Sequence, residues 1–436
     1  MTAIASTPEA GAIPTSAKGI SKTSVAAAVA GNVLEFYDFT TYTFFAVMIG
    51  QHFFPSKDPF ISLMLSVASF GVGFVTRPIG GVVIGAYADR AGRKPAMMLT
   101  VGLMAVGMLV VALTPSFATI GLAAPILVVL ARLVQGFALG GEVGPATSFL
   151  IEAAPANERG LYASWQLASQ GLSTLIAGAI GLGLSLTLSE QDMADWGWRI
   201  PFLLGILIIP VALIMRSKMP ETLDLDAPTT HHSSGSVLSS LLFEHTRPFV
   251  LAFLLISSGT IATYIFNFMT TYAMTTLHMP TSVSIAATLV VGLSILVFSL
   301  IGGWLSDKIG RKPLLIWPKL LSILVAYPAF WLMNAYPNAL VLLLVTAFVV
   351  SLGSLSAVLL VAIPESLPKS VRSAGLAVSY ALGVTLFGGT AQPIVTWLIH
   401  ATGDPMSPAW YLILAGVVGL GAILLMPETK DSVLKD

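Results

Sequence analysis

Long apolar stretches recur along the whole chain, and mostly short polar segments separate them. A helix needs about 20 apolar residues to cross the hydrocarbon core of a bilayer, and twelve stretches are close to or above that length. They lie near residues 24–50, 60–87, 96–113, 121–150, 160–186, 198–216, 248–274, 282–305, 314–333, 338–363, 372–399 and 409–426. The pattern predicts an all-α membrane protein with twelve transmembrane helices, which we number as spans 1 to 12.

The polar segment 217–247 is the one long connection, and it contains Pro, Ser, His and charged residues. It separates two groups of six spans, so we expect an N-terminal half at 23–216 and a C-terminal half at 248–427. The segment itself is expected to be a cytoplasmic linker loop. Residues 1–22, rich in Ala, Ser, Thr and Pro, are expected to form a disordered cytoplasmic tail. Residues 428–436 would form a short second tail.

The amino-acid composition indicates that the protein is embedded in a lipid bilayer. Of the 436 residues, 56% are hydrophobic and only 10% are charged, which is too few to cover the surface of a soluble protein of this size. The net charge is zero, so we expect no nucleic-acid partner. The chain has no Cys, and the adjacent His231 and His232 lie in the linker, so no metal site is predicted.

The distribution of basic residues predicts the orientation in the membrane. Outer connections would hold only Lys57 and Arg199, whereas most of the 21 Lys and Arg residues fall in inner loops and tails. Cytoplasmic loops carry such an excess of basic residues. We therefore expect a multi-pass protein of the cell (inner) membrane with both termini in the cytoplasm.

Three short strings occur twice in the same order. Residues 85–95 and 303–313 share Gly-x-x-x-Asp-(Arg/Lys)-x-Gly-Arg-Lys-Pro. Glu-x-x-Pro-x-x-x-Arg occurs at 152–159 and 365–372, and Met-Pro-Glu-Thr at 219–222 and 426–429. The repeats indicate a duplicated six-helix unit with two pseudo-symmetric halves, an organisation typical of transporters.

Charged residues occur inside the predicted spans, where they are costly in lipid and must face protein or water. Glu35 and Asp38 in span 1 share one helical face. Two carboxylates this close resist ionising together, so one is expected to hold a proton. We predict proton-coupling roles for Glu35, Asp38 and Glu142. The alternative is that the two span 1 carboxylates form a structural ion pair with an arginine of span 4.

Arginines at two positions offer binding sites for anions, because a guanidinium matches a carboxylate in bidentate geometry. Arg132 in span 4 is expected to pair with Asp38 or Glu35 in one conformation and with a substrate carboxylate in another. Its alternative role is to neutralise span 1 permanently. Arg77 is expected to point into the bundle, where it contacts substrate or pairs with Glu142. Lys319 is expected to snorkel to the membrane surface.

Uncharged polar residues recur at helical spacing in spans 5 and 7. Such faces line water or a ligand, or else form interhelical hydrogen bonds worth about 0.6 kcal/mol each. Together with the arginines they define the predicted substrate-binding set: Asn32, Tyr37, Arg77, Arg132, Gln135, Gln166, Gln170, Tyr264, Asn267 and Gln392.

These features together resemble the major facilitator superfamily over the whole chain. The strings at 31–39, 77–80, 132–136, 196–202 and 387–389 resemble its metabolite–proton symporter branch, and those at 162–170 and 402–408 resemble the citrate and tricarballylate members. The resemblance implies a central cavity lined by spans 1, 4, 7 and 10, with spans 5 and 11 close by. It also implies that the repeated strings form a cytoplasmic gate at Gly85, Asp89, Gly92, Arg93, Glu152, Arg159, Asp307, Gly310, Arg311, Glu365 and Arg372.

The predicted function is import of a small carboxylate, with citrate or a related tricarboxylate preferred, together with protons by alternating access. The alternatives are a proline/betaine proton symporter and a proton-driven efflux antiporter. No phosphate loop, nucleophile motif or metal-ligand spacing is found, so we expect neither an enzyme nor a cofactor. We expect the monomer to be the functional unit.

Overall fold

A computed structural model describes residues 22–91, 93–140, 147, 150, 151, 154, 155, 157–217, 243–367 and 372–430. Side chains are described throughout these ranges except at 22–24, 27, 28, 86, 88–90, 93, 94, 97, 207, 208, 211–217 and 372–374. Glu142 and Glu152 therefore lie outside the described residues. So do Gly92 and the side chains of Asp89, Arg93 and Arg372.

The described part of the N-terminal half contains spans 1 to 6. Span 1 comprises Lys22–Phe44 and Ala46–Phe53, span 2 comprises Pro59–Val72, Gly73–Thr76 and Arg77–Ala91, span 3 is Arg93–Leu113, span 4 includes Ala123–Leu139, span 5 is Arg159–Thr187 and span 6 is Arg199–Ser217. Short helical turns at Phe117–Ile120, Glu190–Asp192 and Met193–Gly197 precede spans 4 and 6.

The C-terminal half repeats this order. Span 7 comprises Thr246–Asn267 and Met269–Thr275, span 8 is Thr281–Ile309, span 9 is Arg311–Ala335, span 10 comprises Ala339–Leu355, Ser356–Val358 and Leu359–Ser366, span 11 comprises Arg372–Gly383, Val384–Gly388 and Gly389–Thr402, and span 12 is Ser407–Leu425. The twelve predicted helices are confirmed, and eight of the described helical stretches have the length and apolar composition of a membrane span.

Local chemistry explains several span ends. The Asp58 side chain accepts the Phe60 N–H at 2.9 Å and Pro59 opens the helix, which is a favoured start for span 2. Spans 8 and 9 are joined at Gly310, whose φ of 107° is a conformation that only glycine adopts without strain. Within span 2, the 3₁₀ turn Gly73–Thr76 precedes Pro78, whose missing N–H interrupts the helical hydrogen bonds.

Glycines let the backbones of neighbouring spans touch. An added Cβ at Gly136 of span 4 would collide with the Gly73 carbonyl of span 2. Between the two halves, Gly160 of span 5 meets the Gly303 carbonyl of span 8 in the same way. Such small-residue contacts hold membrane helices together by close packing.

The halves meet at both ends of the molecule. Near the predicted inner side, the first turn of span 5 contacts the end of span 8. Near the predicted outer side, Phe60 of span 2 stacks on His400 of span 11, with ring centroids 3.7 Å apart. Side chains of both halves enclose a cavity of about 100 Å³ between these contacts.

Candidate functional site

An ion pair between spans 1 and 4 lies in the middle of the N-terminal half. Arg132 Nη1 donates to Asp38 Oδ2 at 3.0 Å, and both side chains are 0% exposed. The Arg132 guanidinium also faces the ring of Tyr42 at 3.9 Å, and the Tyr42 hydroxyl is 2.5 Å from Ser69 Oγ of span 2. Of the two partners considered for Arg132, the described contact is to Asp38.

The pair leaves hydrogen-bonding capacity unused. Among the described residues, Arg132 Nε and Nη2 and Asp38 Oδ1 have no hydrogen-bond partner. The neighbouring Gln135 occupies the space beside Gly107 of span 3, and its amide interacts with the Asp38 carboxylate. Buried polar atoms are normally paired, so Asp38 Oδ1 can accept a proton and Arg132 has donors to spare while their mutual contact is kept.

Arg77 lies at the surface where the halves meet. Its guanidinium is 4.7 Å from the Phe39 ring and 4.2 Å from the Phe74 ring, and the residue is 5% exposed. Tyr264 of span 7 packs on Phe74 at 5.5 Å, and its hydroxyl interacts with Arg77. Arg77 thus contacts a residue of the opposite half, as expected for a side chain that points into the bundle.

Glu35 is buried at 3% exposure, one turn before Asp38. The structure therefore places both predicted span 1 carboxyl groups inside the protein. Glu142, the third predicted proton site and the alternative partner of Arg77, lies outside the described residues.

Three predicted substrate ligands instead connect helices within the N-terminal half. Asn32 and Gln166 exchange hydrogen bonds at 3.1 Å, and Asn32 Nδ2 also reaches Ser169 Oγ at 2.5 Å. The Tyr37 hydroxyl donates to the Pro201 carbonyl at 2.8 Å. Their described contacts correspond to the interhelical role, so we do not retain Asn32, Gln166 or Tyr37 in the proposed binding set.

Two other predicted ligands line the cavity between the halves. Gln170 of span 5 and Tyr264 of span 7 form part of its wall, together with Tyr380 of span 11. Asn267 and Gln392 are buried at 7% and 1% exposure but are not among the lining residues. Tyr380 is a lining residue that sequence reasoning missed, because a single tyrosine in an apolar run carries no pattern.

Lys319 also lines the cavity, which corrects the prediction that it snorkels to the membrane surface. Its Nζ donates to Ser258 Oγ of span 7 at 3.1 Å. The residue lies eight positions after the start of span 9, a distance of about 12 Å along a helix axis. That depth was the available signal that the side chain is not at the interface.

A network of charged groups closes the inner end of the C-terminal half. Arg311 makes a two-point contact with Glu365, through Nε and Nη2 at 3.2 Å each, and its Nη1 reaches Asp307 Oδ1 at 2.7 Å. The two Asp307 oxygens accept the N–H groups of Gly160 and Leu161 at 2.8 and 2.9 Å. A carboxylate of the C-terminal half therefore caps span 5 of the N-terminal half.

Glu428 belongs to this network and was missed as a gate residue. It accepts the N–H groups of Arg311 and Lys312 at 2.9 and 2.8 Å, while Thr429 donates to Glu365 at 2.8 Å. Burial alone would raise the pKa of the Glu428 carboxyl, but the backbone N–H groups outweigh it and hold that pKa below its usual value. The repeated Met-Pro-Glu-Thr string was its signal in the sequence.

The other predicted gate positions are less informative. Arg159 begins span 5, one residue before Gly160, and an added Cβ at Gly85 of span 2 would meet open space. The N-terminal counterparts of Asp307, Gly310, Arg311 and Glu365 lie outside the described side chains. They are Asp89, Gly92, Arg93 and Glu152.

Comparisons with known proteins agree with this architecture. The family model of the Major Facilitator Superfamily matches residues 28–383 and 264–434. The citrate-proton symporter of Salmonella typhi is 37% identical over 401 residues, which cover 91% of this chain and 92% of the relative. The proline/betaine transporter of Salmonella typhimurium (strain LT2) is 30% identical over 424 residues, 94% and 84% of the two chains. A crystal structure of a D-xylose-proton symporter superposes with a TM-score of 0.76 at 19% identity, covering 94% of this chain and 99% of the other, which shows a shared fold.

Proposed function

The chain belongs to the major facilitator superfamily, and we propose that it is a proton-coupled symporter that imports a small carboxylate, with citrate or a related tricarboxylate as substrate. The observation that carries the proposal is the fully buried Arg132–Asp38 pair, which places an anion-binding group and a proton acceptor in contact. The similarity of this chain to a citrate-proton symporter, over most of both chains, supports the substrate class.

Proton and substrate would act on the same pair. Protonation of an Asp38 carboxyl oxygen removes its negative charge and weakens its attraction for Arg132 Nη1. Arg132 then has a guanidinium with free donors for a substrate carboxylate, and Nε and Nη2 have no other described partner. Release of substrate returns Arg132 to Asp38, and the carboxyl group loses its proton. Glu35, one turn away, is positioned to exchange that proton.

Access would alternate as the two halves rock about the cavity. In the conformation described, Asp307 accepts hydrogen bonds from the first turn of span 5, and Arg311, itself paired with Glu365, donates to Asp307. Opening the inner side requires these inter-half hydrogen bonds to break. We place both termini on the cytoplasmic side from the distribution of Lys and Arg, and we take the monomer as the functional unit.

The second candidate is proline/betaine symport, which the proline/betaine relative favours. A zwitterion would use an arginine for its carboxylate and an aromatic cage for its cationic group. The Tyr42 ring already faces the Arg132 guanidinium, and the Phe39 and Phe74 rings face that of Arg77. These rings are therefore not available to a substrate cation, which favours an anionic substrate.

Transport by purified protein in proteoliposomes tests the proposal. We expect inward uptake of citrate or tricarballylate that increases with an inwardly directed proton gradient and stops when the gradient is dissipated. 2-Oxoglutarate and betaine serve as competing substrates in the same assay. Betaine uptake without citrate uptake would contradict the carboxylate substrate and favour a betaine symporter. Citrate uptake that does not respond to the proton gradient would contradict proton coupling.

A further inference from the structure

Lys319 is a positive charge inside the C-terminal half with a neutral partner. Among the described residues, its hydrogen-bond partner is the Ser258 hydroxyl, and it forms no ion pair with an acidic side chain. An ammonium group in a membrane interior is costly unless an anion or water compensates it. Lys319 carries three N–H donors, and the bond to Ser258 uses one.

The space around this amine is provided by a third helix. Gly419 of span 12 faces both side chains, and an added Cβ there would lie 2.6 Å from Ser258 Cβ and 3.7 Å from Lys319 Cε. Glycine at this position leaves room for the Lys319–Ser258 contact among spans 7, 9 and 12. Lys319 and Ser258 both line the cavity between the halves.

A second cation, Arg77, lies behind the cavity wall and is not itself a lining residue. Tyr264 lines the cavity from span 7, and the Tyr264 hydroxyl interacts with Arg77 of the N-terminal half. Lys319 lies on the wall contributed by spans 7, 9 and 12. A molecule in the cavity therefore has Lys319 on its wall and, behind Tyr264, the Arg77 guanidinium.

We propose that Lys319 and Ser258 form a subsite that binds one carboxylate group of the transported substrate. The proposal rests on the proposed carboxylate transport and narrows it to substrates with two or more carboxylates, because one group would pair with an N-terminal arginine and another with Lys319. Nζ would donate to one carboxylate oxygen, and the Ser258 hydroxyl would donate to the same group. A substrate bridging both halves would couple its binding to their relative position.

Contact with Lys319 on one side of the cavity and with an arginine on the other would favour closure of the two halves around the bound substrate.

Lys319→Met tests the subsite, with Lys57→Met in an exposed outer loop as the matched control. We expect the KM for citrate in proteoliposomes to rise about 30-fold in Lys319→Met, as for the loss of one partner of a buried charge pair. Lys319→Arg retains a cation and should retain most of the affinity. Lys57→Met should behave as the unmodified protein.

Thermal unfolding in detergent distinguishes binding from a structural role. Removing a partly buried charge that lacks an anion should raise the melting temperature without citrate and reduce the increase that citrate produces. A lower melting temperature with an unchanged citrate-induced increase would overturn the subsite, as would an unchanged citrate KM. If the unmodified protein neither binds nor transports citrate, the proposed function fails instead.

Discussion

At the scale of single residues, the arrangement of buried charges is the main finding. Arg132 and Asp38 are fully buried and paired, and Arg77 faces two aromatic rings. Removing one member of a buried pair leaves the other uncompensated, whereas removing both often costs little. This difference separates a structural contribution of the Arg132–Asp38 pair from a role in coupling.

We expect Asp38→Asn to transport the substrate but no longer to be driven by a proton gradient. We expect Arg132→Ala to lose substrate uptake. Each single variant should lose about 3 to 5 kcal/mol of stability, because a buried charge remains unpaired. The double variant Asp38→Asn/Arg132→Ala should lose less stability than the sum of the losses in the two single variants. Thermal unfolding and uptake with and without a pH gradient measure these effects.

Glu190→Gln, in an exposed segment after span 5, is the matched control for loss of one carboxylate. It should leave uptake and its dependence on the pH gradient unchanged. Proton-driven accumulation by Asp38→Asn equal to that of the unmodified protein would remove Asp38 from the coupling mechanism.

At the scale of helices, the ends of spans carry the specific chemistry, and their middles carry the packing. Gly310 permits the sharp connection from span 8 to span 9, and an added Cβ there would also approach Glu428 Oε2 at 2.9 Å. Glu428 then satisfies the N–H groups at the start of span 9. A carboxylate beyond span 12 thereby fixes the beginning of a helix more than 100 residues earlier.

The Glu428 contact predicts a pH dependence of stability. The folded-state pKa of this carboxyl lies below its unfolded value of about 4.5, so its contribution is fully present above that value. It is lost as the pH falls through the lower folded-state pKa. Glu428→Gln should lower the melting temperature at pH 7, and this difference from the unmodified protein should shrink when unfolding is measured at decreasing pH below 4.5.

Glu190→Gln, the exposed carboxylate after span 5, also provides the comparison for Glu428→Gln. It should show a smaller change in melting temperature at pH 7. Equal melting temperatures for Glu428→Gln and the unmodified protein at pH 7 would show that the cap of span 9 contributes no measurable stability.

At the scale of the whole molecule, contacts between the halves determine which side is open. Asp307 joins span 8 to span 5 through two charge-assisted hydrogen bonds, and Phe60 and His400 meet near the other end. Hydrogen bonds to charged groups contribute about 1.5 to 3 kcal/mol each. Their loss is therefore sufficient to shift a balance between conformations by tenfold or more.

We expect Asp307→Asn to favour an inward-open conformation. The chain has no Cys, so Ser322→Cys on the cavity wall provides one thiol whose labelling reports access. In inside-out vesicles, a membrane-impermeant maleimide should label Ser322→Cys at least about tenfold faster when Asp307→Asn is also present. Lys308 is adjacent to Asp307, and its amine lies 3.6 Å from the Trp304 ring centroid. Lys308→Gln is the control and should not change the rate at which Ser322→Cys is labelled.

The sequence by itself determined the twelve helices, the duplication, the superfamily and the presence of buried charges, because apolar length, repeated strings and intramembrane charges are all properties of consecutive residues. It also predicted that Arg132 meets span 1, since an isolated charge in lipid needs a partner. The tertiary structure decided that the partner is Asp38, that Asn32, Tyr37 and Gln166 connect helices, and that Lys319 faces a cavity. These outcomes depend on helix rotation and on which spans lie side by side, and those are set by packing between residues far apart in the chain.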